Sequence, residues 1–364
     1  MIDIVPNQPK KGRGAVSNHA GRFEPHARVA VDDGWDLAGE GAELDKLKTE
    51  VTVECAKSAL TRNASPDLPF DRSLNPYRGC EHGCVYCYAR PSHAYMNLSP
   101  GLDFESKLFV KDNLATVLEV ELRKPSYSPA PVMIGANTDP YQPIERERRI
   151  TRQVLEILHA YRHPAVIITK SHLITRDVDI LADMAARNLV SVGISLTTLD
   201  RDLARTMEPR AATPARRLEA MEVLSGAGVP VAVLAAPMVP TLNDHELEAI
   251  LQSSAEAGAR VATYILLRLP RELKGLFGEW LQTHAPGKAK RVMSLLSQSR
   301  GGGHNDPNFG TRMTGTGVHA KLLSQRFCLA CKKLGLAPAD PGEFKLNVDA
   351  FSRPPQVGDQ LALL

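Results

Sequence analysis

Long apolar runs and a strong excess of one charge are both missing from this chain of 364 residues. The longest mostly apolar stretch, residues 229–240, contains three prolines and is too short to cross a bilayer as a helix. The net charge of +3 is too small to indicate nucleic-acid binding without a local cluster of basic residues. Composition therefore excludes a membrane-spanning protein and leaves the type of partner open.

A secretory signal is also missing, because the N-terminal sequence MIDIVPNQPKKGRG has no apolar stretch behind its basic residues. We therefore expect a cytoplasmic protein. Cysteine is scarce, with six residues in the whole chain. Because cytoplasmic thiols stay reduced, these cysteines are better suited to binding metal than to forming disulfides.

What is present is the composition of a globular protein, 43% hydrophobic and 23% charged. The length fits one large catalytic domain with appendages. Residues 1–50 are rich in glycine and charge without an apolar period, which predicts a mostly irregular N-terminal arm. We assign residues 51–270 to the catalytic domain, residues 271–350 to a C-terminal extension of helices and loops, and residues 351–364 to a proline-containing tail.

Five short segments of the catalytic domain are apolar almost throughout, as parallel strands covered on both faces should be. They are residues 131–136, 165–169, 190–196, 229–235 and 261–267, and a sixth strand is predicted just before Cys80. Helix-period segments separate them, including residues 150–161 and a helix that Asn243 or Asp244 is expected to cap. The alternation predicts an α/β fold that is either a doubly wound sheet or a complete or partial barrel.

Three of the six cysteines fall within RGCEHGCVYCYARP, where Cys80, Cys84 and Cys87 form a C-x3-C-x2-C motif. A tight loop at this spacing can present three thiolates to three irons of a 4Fe-4S cluster and leave the fourth iron open. Structural zinc is the alternative, with His82 or His93 as the fourth ligand, although zinc sites favour paired C-x2-C or C-x2-H units. The spacing therefore favours an iron-sulfur cluster.

The motif with Tyr86 before its last cysteine resembles the radical S-adenosylmethionine (SAM) superfamily. The stretches SLNPYRGCEHGCVYCYARP and GLDFE are most similar to a bacterial subgroup of the branch that contains spore photoproduct lyase, whose relatives are often named as DNA repair photolyases. This resemblance implies a partial (β/α)6 barrel with the cluster in the loop after its first strand. It also implies an enzyme that reductively cleaves SAM to a 5′-deoxyadenosyl radical.

The resemblance further implies where SAM binds, at the carboxyl ends of successive strands. Thr138 and Asp139 follow strand 2, where the family binds the SAM amino group, and Lys170 follows strand 3, where it could pair with the SAM carboxylate. Ser195 ends strand 4, and Tyr88 is expected to pack beside the adenine. The structural alternatives are that Lys170 is a solvated lysine at a strand end, that Ser195 is a buried hydroxyl of the core, and that Tyr88 packs around the cluster.

One position departs from the spore enzyme, in which a cysteine at the end of strand 2 gives hydrogen to the product radical. This sequence has Gly135–Ala136–Asn137 there and no cysteine between Cys87 and Cys328. Either a tyrosine or a C-terminal thiol replaces that donor, or the radical reaction is a different one. Cys55, Cys328 and Cys331 stay unassigned among core packing, thiol chemistry and metal binding.

The substrate predicted from the resemblance is nucleic acid, which the enzyme would repair or modify. Basic residues of the extension would then hold phosphates: Lys288, Lys290, Arg291, Arg300 and Arg312. The glycine-rich residues 301–317 could bring backbone amides to a phosphate or form a plain surface loop. The alternatives are radical modification of a protein or peptide, and a metal-binding module without catalysis.

Two protein partners are also predicted. Reductive cleavage of SAM needs an electron donor such as a flavodoxin or ferredoxin. The chain ends in Gln360, Leu361, Ala362, Leu363 and Leu364, which resemble the short peptide that docks repair proteins on the DNA sliding clamp. An apolar end that packs on its own domain is the alternative.

The first testable prediction concerns the cysteine motif. Replacing Cys80, Cys84 and Cys87 together with alanine should abolish both cluster loading and SAM cleavage, because no other ligands remain to hold the irons. Iron and sulfide content after anaerobic reconstitution, and formation of 5′-deoxyadenosine, measure the two effects. A triple-alanine variant that still loads a SAM-cleaving cluster would disprove the assignment.

Overall fold

Strands and helices alternate along the chain in the computed structural model, which describes residues 3–4, 7–26, 31–32, 47–339 and 344–355. The strands in these residues are β1 (Asp3–Ile4), β2 (Val31–Asp32), β3 (Glu50–Val53), β4 (Thr61–Arg62), β5 (Arg72–Leu74), β6 (Tyr77–Arg78), β7 (Lys107–Val110), β8 (Val132–Ile134), β9 (Ala165–Thr169), β10 (Val190–Ser195), β11 (Val231–Met238), β12 (Val261–Leu266) and β13 (Ala337–Pro338). The helices are α1 (Leu102–Ser106), α2 (Leu114–Arg123), α3 (Glu145–Arg148), α4 (Ile150–Ala160), α5 (Val178–Ala186), α6 (Arg201–Met207), α7 (Pro214–Gly226), α8 (Leu247–Glu256), α9 (Leu273–His284), α10 (Pro286–Gln298) and α11 (Gly317–Leu334).

The main sheet has the order β13-β12-β11-β10-β9-β8-β5-β4. Strands β5 and β8 to β13 are mutually parallel, and only the short edge strand β4 pairs antiparallel. Neighbours in the sheet follow one another along the chain without the reversal of order that defines a doubly wound sheet. The described strands β4 and β13 do not pair with each other, so the sheet is an open barrel and the predicted partial (β/α)6 architecture is confirmed.

The core lies between this sheet and the helices that connect its strands. The middle strands β9 and β10 are buried almost throughout, as their uninterrupted apolar sequence predicts. Helix α4 buries Ile150, Val154 and Leu158 on one face. The predicted strands and helices are therefore present, with ends that differ by a few residues.

The predicted cap of α8 is wrong. The helix begins at Leu247 after a 3-10 turn, Asp244–Glu246, and its N-terminus has no side-chain cap. Asn243 instead accepts a hydrogen bond from the Val239 amide at 2.6 Å and donates to the Thr197 carbonyl at 2.7 Å. This buried side chain ties the end of β11 to the end of β10, so it is committed to tertiary contacts.

The described part of the N-terminal arm packs against the segment GLDFE. Residues 7–26 contain turns and bends without helix or strand, in agreement with the irregular arm expected from their composition. The carboxylate of Glu105 accepts hydrogen bonds from the amides of Gly14 at 2.8 Å and Ala15 at 2.7 Å. Glu105 also pairs with Arg90 at 2.5 Å, and both side chains are completely buried. The arm therefore depends on a carboxylate inside the catalytic domain.

The C-terminal extension joins the barrel at two places. Helices α9 and α10 cover an apolar cluster that includes Val85, Tyr86 and Trp280, while α11 packs on α8 and leads into the edge strand β13. Farther on, Phe351 packs beside Tyr127, Tyr161 and His163. The proposed clamp-binding residues Gln360 to Leu364 lie outside the described residues.

Across the described residues, no helix is both long enough and apolar enough to cross a membrane.

The Arg90–Glu105 pair leads to a stability prediction. Glu105→Gln should lower the free energy of unfolding by about 3–5 kcal/mol, because it leaves the buried Arg90 guanidinium without a counter-charge. Urea unfolding of the folded apoprotein measures this loss. Glu156→Gln, which breaks the partly exposed pair with Arg152, is the matched control and should change stability by about 1 kcal/mol or less. Equal losses in the two variants would contradict the proposed importance of the buried pair.

Candidate active site

The cysteine loop, residues 79–90, follows β5 and β6 and is held as a series of tight turns. The amide of Gly83 donates to the Cys80 carbonyl, and the amide of Cys87 donates to the Cys84 carbonyl, each at 3.2 Å. Gly83 has a φ of +68°, and a Cβ at this position would lie 2.6 Å from Oε2 of Glu105. Only glycine fits there, which explains why the motif has a glycine directly before Cys84.

Arg90 holds this loop from behind. Its guanidinium donates to the carbonyls of Gly83 at 2.9 Å and Cys84 at 2.8 Å, besides its ion pair with Glu105. A planar five-donor group can satisfy several carbonyls at once, which an ammonium group could not do in this geometry. The arginine after the third cysteine is therefore part of the framework that positions the thiols.

The three thiols line one cavity. Cys80 and Cys84 are buried and Cys87 is partly exposed. Burial and the Asp139 carboxylate raise the pKa of Cys80, and burial with Glu208 nearby raises that of Cys84, so cationic irons are needed to keep these sulfurs as thiolates. Three cysteine sulfurs on one short loop at the wall of a single cavity are the donor set that suits a 4Fe-4S cluster with one open iron.

Single-ion zinc binding does not fit. No three His, Cys, Asp or Glu side chains in the described ranges converge closely enough to hold one metal ion. His93 is buried, its Nε2 lies 3.0 Å from the Lys107 carbonyl, and burial lowers its pKa to about 4. His82 instead places Nδ1 3.3 Å from Asp139. His93 thus contacts the backbone through Nε2, His82 faces Asp139, and neither joins the cysteines in a group that could hold a single ion in the described ranges.

The cavity has a volume of about 770 Å³ and opens at the carboxyl ends of the barrel strands. All eight residues predicted for the cluster and SAM line it: Cys80, Cys84, Cys87, Tyr88, Thr138, Asp139, Lys170 and Ser195. Its floor is apolar and includes Met133, Ile168 and Leu234. The fold therefore brings together residues that lie more than one hundred positions apart in the sequence.

Asp139 fixes two of the strand ends around this cavity. Its carboxylate accepts hydrogen bonds from the Thr169 hydroxyl at 2.7 Å and from the Lys170 amide at 2.8 Å. Burial by itself would raise the pKa of Asp139, but His82 and these donors lower it to about 2. Asp139 is ionised, and groups of the protein itself donate hydrogen bonds to its carboxylate. Its contacts therefore position the loops after β8 and β9.

Lys170 is the predicted residue whose charge remains available. Its Nζ lies 5.8 Å from the centre of the Tyr86 ring, and the described residues offer it no ion pair. Lys170 also lies close enough to Cys84 to act against the rise in that thiol's pKa. A cation next to the cluster position suits the carboxylate of SAM, as the sequence predicts.

The other predicted SAM contacts have partners inside the protein. The Thr138 hydroxyl donates to the Tyr77 carbonyl at 2.8 Å, and the Ser195 hydroxyl donates to the Ala236 carbonyl at 3.2 Å. Tyr88 donates to the Ala136 carbonyl across the cavity. Each side chain lines the cavity, and each can still accept a hydrogen bond from a ligand.

A buried network on the other side of the cysteine loop was only partly visible in the sequence. Glu208 forms an ion pair with Arg217 and accepts hydrogen bonds from the hydroxyls of Tyr86 and Thr197. Arg217 also donates to the Ser195 carbonyl at 3.0 Å. The segment at Glu208 therefore holds Tyr86 and the end of β10 in place.

Two arginines line the cavity near its mouth. Arg268, just after β12, lies with its guanidinium 5.5 Å from the centre of the Tyr88 ring and has no ion pair in the described part of the chain. Arg312 pairs with Asp67 at 2.5 Å and lies over the Phe309 ring. Arg268 has no motif around it, so only its position after a predicted strand could have indicated it.

The expectation for Arg300 in the extension is wrong, whereas phosphate contacts by the other basic residues stay a prediction. Arg300 is buried and donates to the carbonyls of Leu267 and Arg312, so it fastens the glycine-rich loop rather than holding a phosphate. Lys288, Lys290 and Arg291 are exposed on α10 and do not line the cavity. Cys331 is buried in the core, whereas Cys328 and Cys55 are exposed, and the three form no metal-holding group in the described residues.

An open parallel barrel that carries three cysteines, and a lysine without an ion pair among the described residues, at the carboxyl ends of its strands is typical of enzymes that bind a cluster and SAM. The family model of the radical SAM superfamily matches residues 74–253. The chain belongs to the radical SAM superfamily and is a radical SAM enzyme, and that family uses a 4Fe-4S cluster and SAM.

Similar proteins include an uncharacterized protein of Mycobacterium tuberculosis that is 39% identical over 243 residues, covering 66% of this chain and 71% of that protein. An uncharacterized protein of Methanocaldococcus jannaschii is 28% identical over 199 residues, covering 55% of this chain and 71% of that protein. The structure of spore photoproduct lyase with a dinucleoside spore photoproduct has a TM-score of 0.57 at 14% identity, over 79% of this chain and 81% of that one. This last similarity shows the shared fold.

The position of Lys170 leads to a binding prediction. Lys170→Met should raise the Kd for SAM about tenfold or more, because a hydrogen bond to a charged group contributes about 1.5–3 kcal/mol. Equilibrium dialysis with the reconstituted protein measures the Kd, and iron content should stay unchanged. Lys57→Met, at an exposed lysine outside the cavity, should bind SAM like the unaltered protein. Unchanged affinity in Lys170→Met would remove this residue from the SAM site.

Proposed function

We propose that this radical SAM enzyme uses its 5′-deoxyadenosyl radical to repair or modify nucleic acid. The observation that carries the proposal is the charge around the cavity that holds the three cysteines. Lys111, Lys170 and Arg268 line it without an ion pair among the described residues, Arg312 lines it paired with Asp67, and Asp139 is the acidic residue among its described lining. An anionic substrate is therefore favoured at the mouth.

The cluster bound by Cys80, Cys84 and Cys87 would supply one electron to cleave SAM and produce the radical. The chain's own contribution is to hold the reactants and keep water out. Lys170 would hold the SAM carboxylate, and the ends of β8 and β9, joined through Asp139, would hold its amino group. The apolar floor excludes water from the place where the radical forms.

Aromatic side chains accompany the arginines near this mouth. Tyr88 lies under Arg268 and is 49% exposed, and Phe309 lies under Arg312 and is 56% exposed. Proteins that bind single-stranded nucleic acids combine a cationic groove with aromatic rings on which unpaired bases stack. The pairing of exposed rings with arginines therefore supports an unstacked nucleotide as substrate, and a base in a duplex would have to be flipped out.

The cavity also bears on the type of radical reaction. The described residues that line it include no cysteine besides the three of the motif, and its β8 end has Gly135 and Ala136. A thiol that returns hydrogen to a product radical is therefore not provided at that position. The hydroxyl of Tyr88 lies beside this position, where it donates to the Ala136 carbonyl. Return of a hydrogen atom from a tyrosine, or transfer of the radical to a second molecule, therefore fits this site better than the thiol-dependent reaction.

The substrate proposal is tested by comparing nucleic acid with protein. A fluorescent single-stranded oligonucleotide should bind more tightly than its duplex, and binding should weaken steeply with salt, because phosphate contacts release counterions. Arg268→Met should weaken single-strand binding about tenfold, as loss of a charge-assisted contact contributes about 1.5–3 kcal/mol. Fluorescence anisotropy measures both effects.

Arg205→Met is the matched control, because Arg205 is an exposed arginine on α6 that does not line the cavity. It should bind the oligonucleotide like the unaltered protein. Formation of 5′-deoxyadenosine that rises with peptides but not with oligonucleotides, or an equal loss in both variants, would favour the protein-modifying alternative. Docking of the tail on the sliding clamp remains a separate proposal from the sequence, tested by a truncation ending at Gly358.

A further inference from the structure

A second cavity, of about 400 Å³, lies on the other side of the cysteine loop. Its wall is formed by the segments that follow β8, β9 and α6. The lining includes Arg146, Arg176, Arg210, Arg216 and His172, and no described lining residue is acidic. We call it the arginine pocket. We call the larger cavity, which the three cysteines line, the SAM cavity. The two cavities share only His82 among their described lining residues.

His82 links the arginine pocket to the cluster position. Its ring is only 2% exposed and belongs to the cysteine loop, two residues from both Cys80 and Cys84. Its Nδ1 has no hydrogen-bond partner in the described residues and lies 3.3 Å from Asp139, which itself acts on the Cys80 thiol. The arginine pocket is therefore solvent-facing space directly behind the loop that would hold the cluster.

The rim of the arginine pocket carries exposed positive charge. Arg146, Arg210 and Arg216 are exposed, and Arg146 has no ion pair in the described ranges. Arg210 pairs with Glu81 at 3.1 Å, and Arg216 pairs with Glu219 at 2.5 Å. Arg176 is different, because it is bound to the buried Glu145 and Asp177 and shapes the wall. A partner with acidic groups would complement this rim.

SAM cleavage needs an electron from outside the chain. Each reductive cleavage consumes one electron, and the cysteines outside the motif, Cys55, Cys328 and Cys331, form no group in the described residues that could hold a second metal centre. SAM and substrate would occupy the cavity in front of the cysteine loop, so that side is blocked to a protein. A donor protein therefore has to approach from another face, and the arginine pocket is the solvent-facing cavity behind the loop.

We propose that the arginine pocket is the docking surface for an acidic one-electron donor protein of the flavodoxin or ferredoxin type. In the reaction the donor is oxidised by one electron and the sulfonium of SAM is reduced. The bond from sulfur to the 5′ carbon breaks, which gives methionine and the 5′-deoxyadenosyl radical, and no proton is needed. The proposal rests on SAM cleavage by this enzyme and is independent of which substrate the radical attacks.

Charge reversal on the rim tests the docking surface by direct binding. Arg146→Glu should raise the Kd for oxidised flavodoxin on the order of tenfold, and the double variant with Arg216→Glu should raise it further, because like charges then face the acidic partner. Isothermal titration calorimetry at low salt measures the Kd, and added salt should weaken binding to the unaltered protein. Arg187→Glu is the matched control for Arg216→Glu, since Arg187, directly after α5, is also paired with an acidic residue of the neighbouring helical turn, Asp183.

Activity with two reductants separates docking from catalysis. With reduced flavodoxin, formation of 5′-deoxyadenosine should fall in the Arg146→Glu and Arg216→Glu variants by a factor similar to the loss in affinity. With dithionite, a small chemical reductant, the same variants should match the unaltered enzyme, because their cluster and SAM site are intact.

Undiminished flavodoxin affinity in Arg146→Glu, or an equal loss in Arg187→Glu, would overturn the proposal. Equal losses with flavodoxin and dithionite would also overturn it, because the arginines would then act on the catalytic site itself. If inorganic phosphate binds to the arginine pocket and does not affect flavodoxin binding, the pocket is a site for small anions instead. If the unaltered enzyme fails to cleave SAM even with dithionite, the proposed function is wrong. The binding experiment does not depend on SAM cleavage, so it separates this failure from a failure of the docking proposal.

Discussion

The buried ion pair between Arg90 and Glu105 connects three parts of the molecule that would otherwise be independent. Arg90 holds the carbonyls of the cysteine loop, and Glu105 holds the amides of the N-terminal arm. A charge of either sign left alone in this fully buried place would be costly, so both residues and both attached segments have to be in position together. The positions of the three thiols depend on this constraint, because the loop that carries them has little regular structure of its own.

Around the cysteine loop, acidic and basic groups have different tasks. The carboxylates of the partly buried Asp139 and the buried Glu208 accept hydrogen bonds from neighbouring loops and so join the ends of adjacent strands. The cations Lys170 and Arg268 have aromatic rings beside them and no acidic partner in the described residues. Carboxylates that are satisfied internally give rigidity, whereas cations next to rings remain able to bind an anion. This division explains how one cavity can be preorganised and still receptive.

The two cavities give the cysteine loop two different surroundings. The SAM cavity has an apolar floor that favours exclusion of water, and the arginine pocket has a polar, cationic rim open to solvent. His82 lies between them at the turn of the loop. Reductive radical chemistry needs both conditions, because the radical must be protected from solvent while the electron arrives from a separate molecule.

The sequence by itself determined the cysteine motif, the five apolar strands and the helical segments between them, because spacing and apolar period are local properties of the chain. Family resemblance then selected the open barrel over the doubly wound sheet, and the strand order agrees with it. The tertiary structure decided which polar residues are free. Arg300 and Asn243 look like surface residues in the sequence yet serve buried backbone groups, while Arg268 has no local signal and lines the cavity. Such roles arise from contacts between distant segments, which a periodic pattern does not encode.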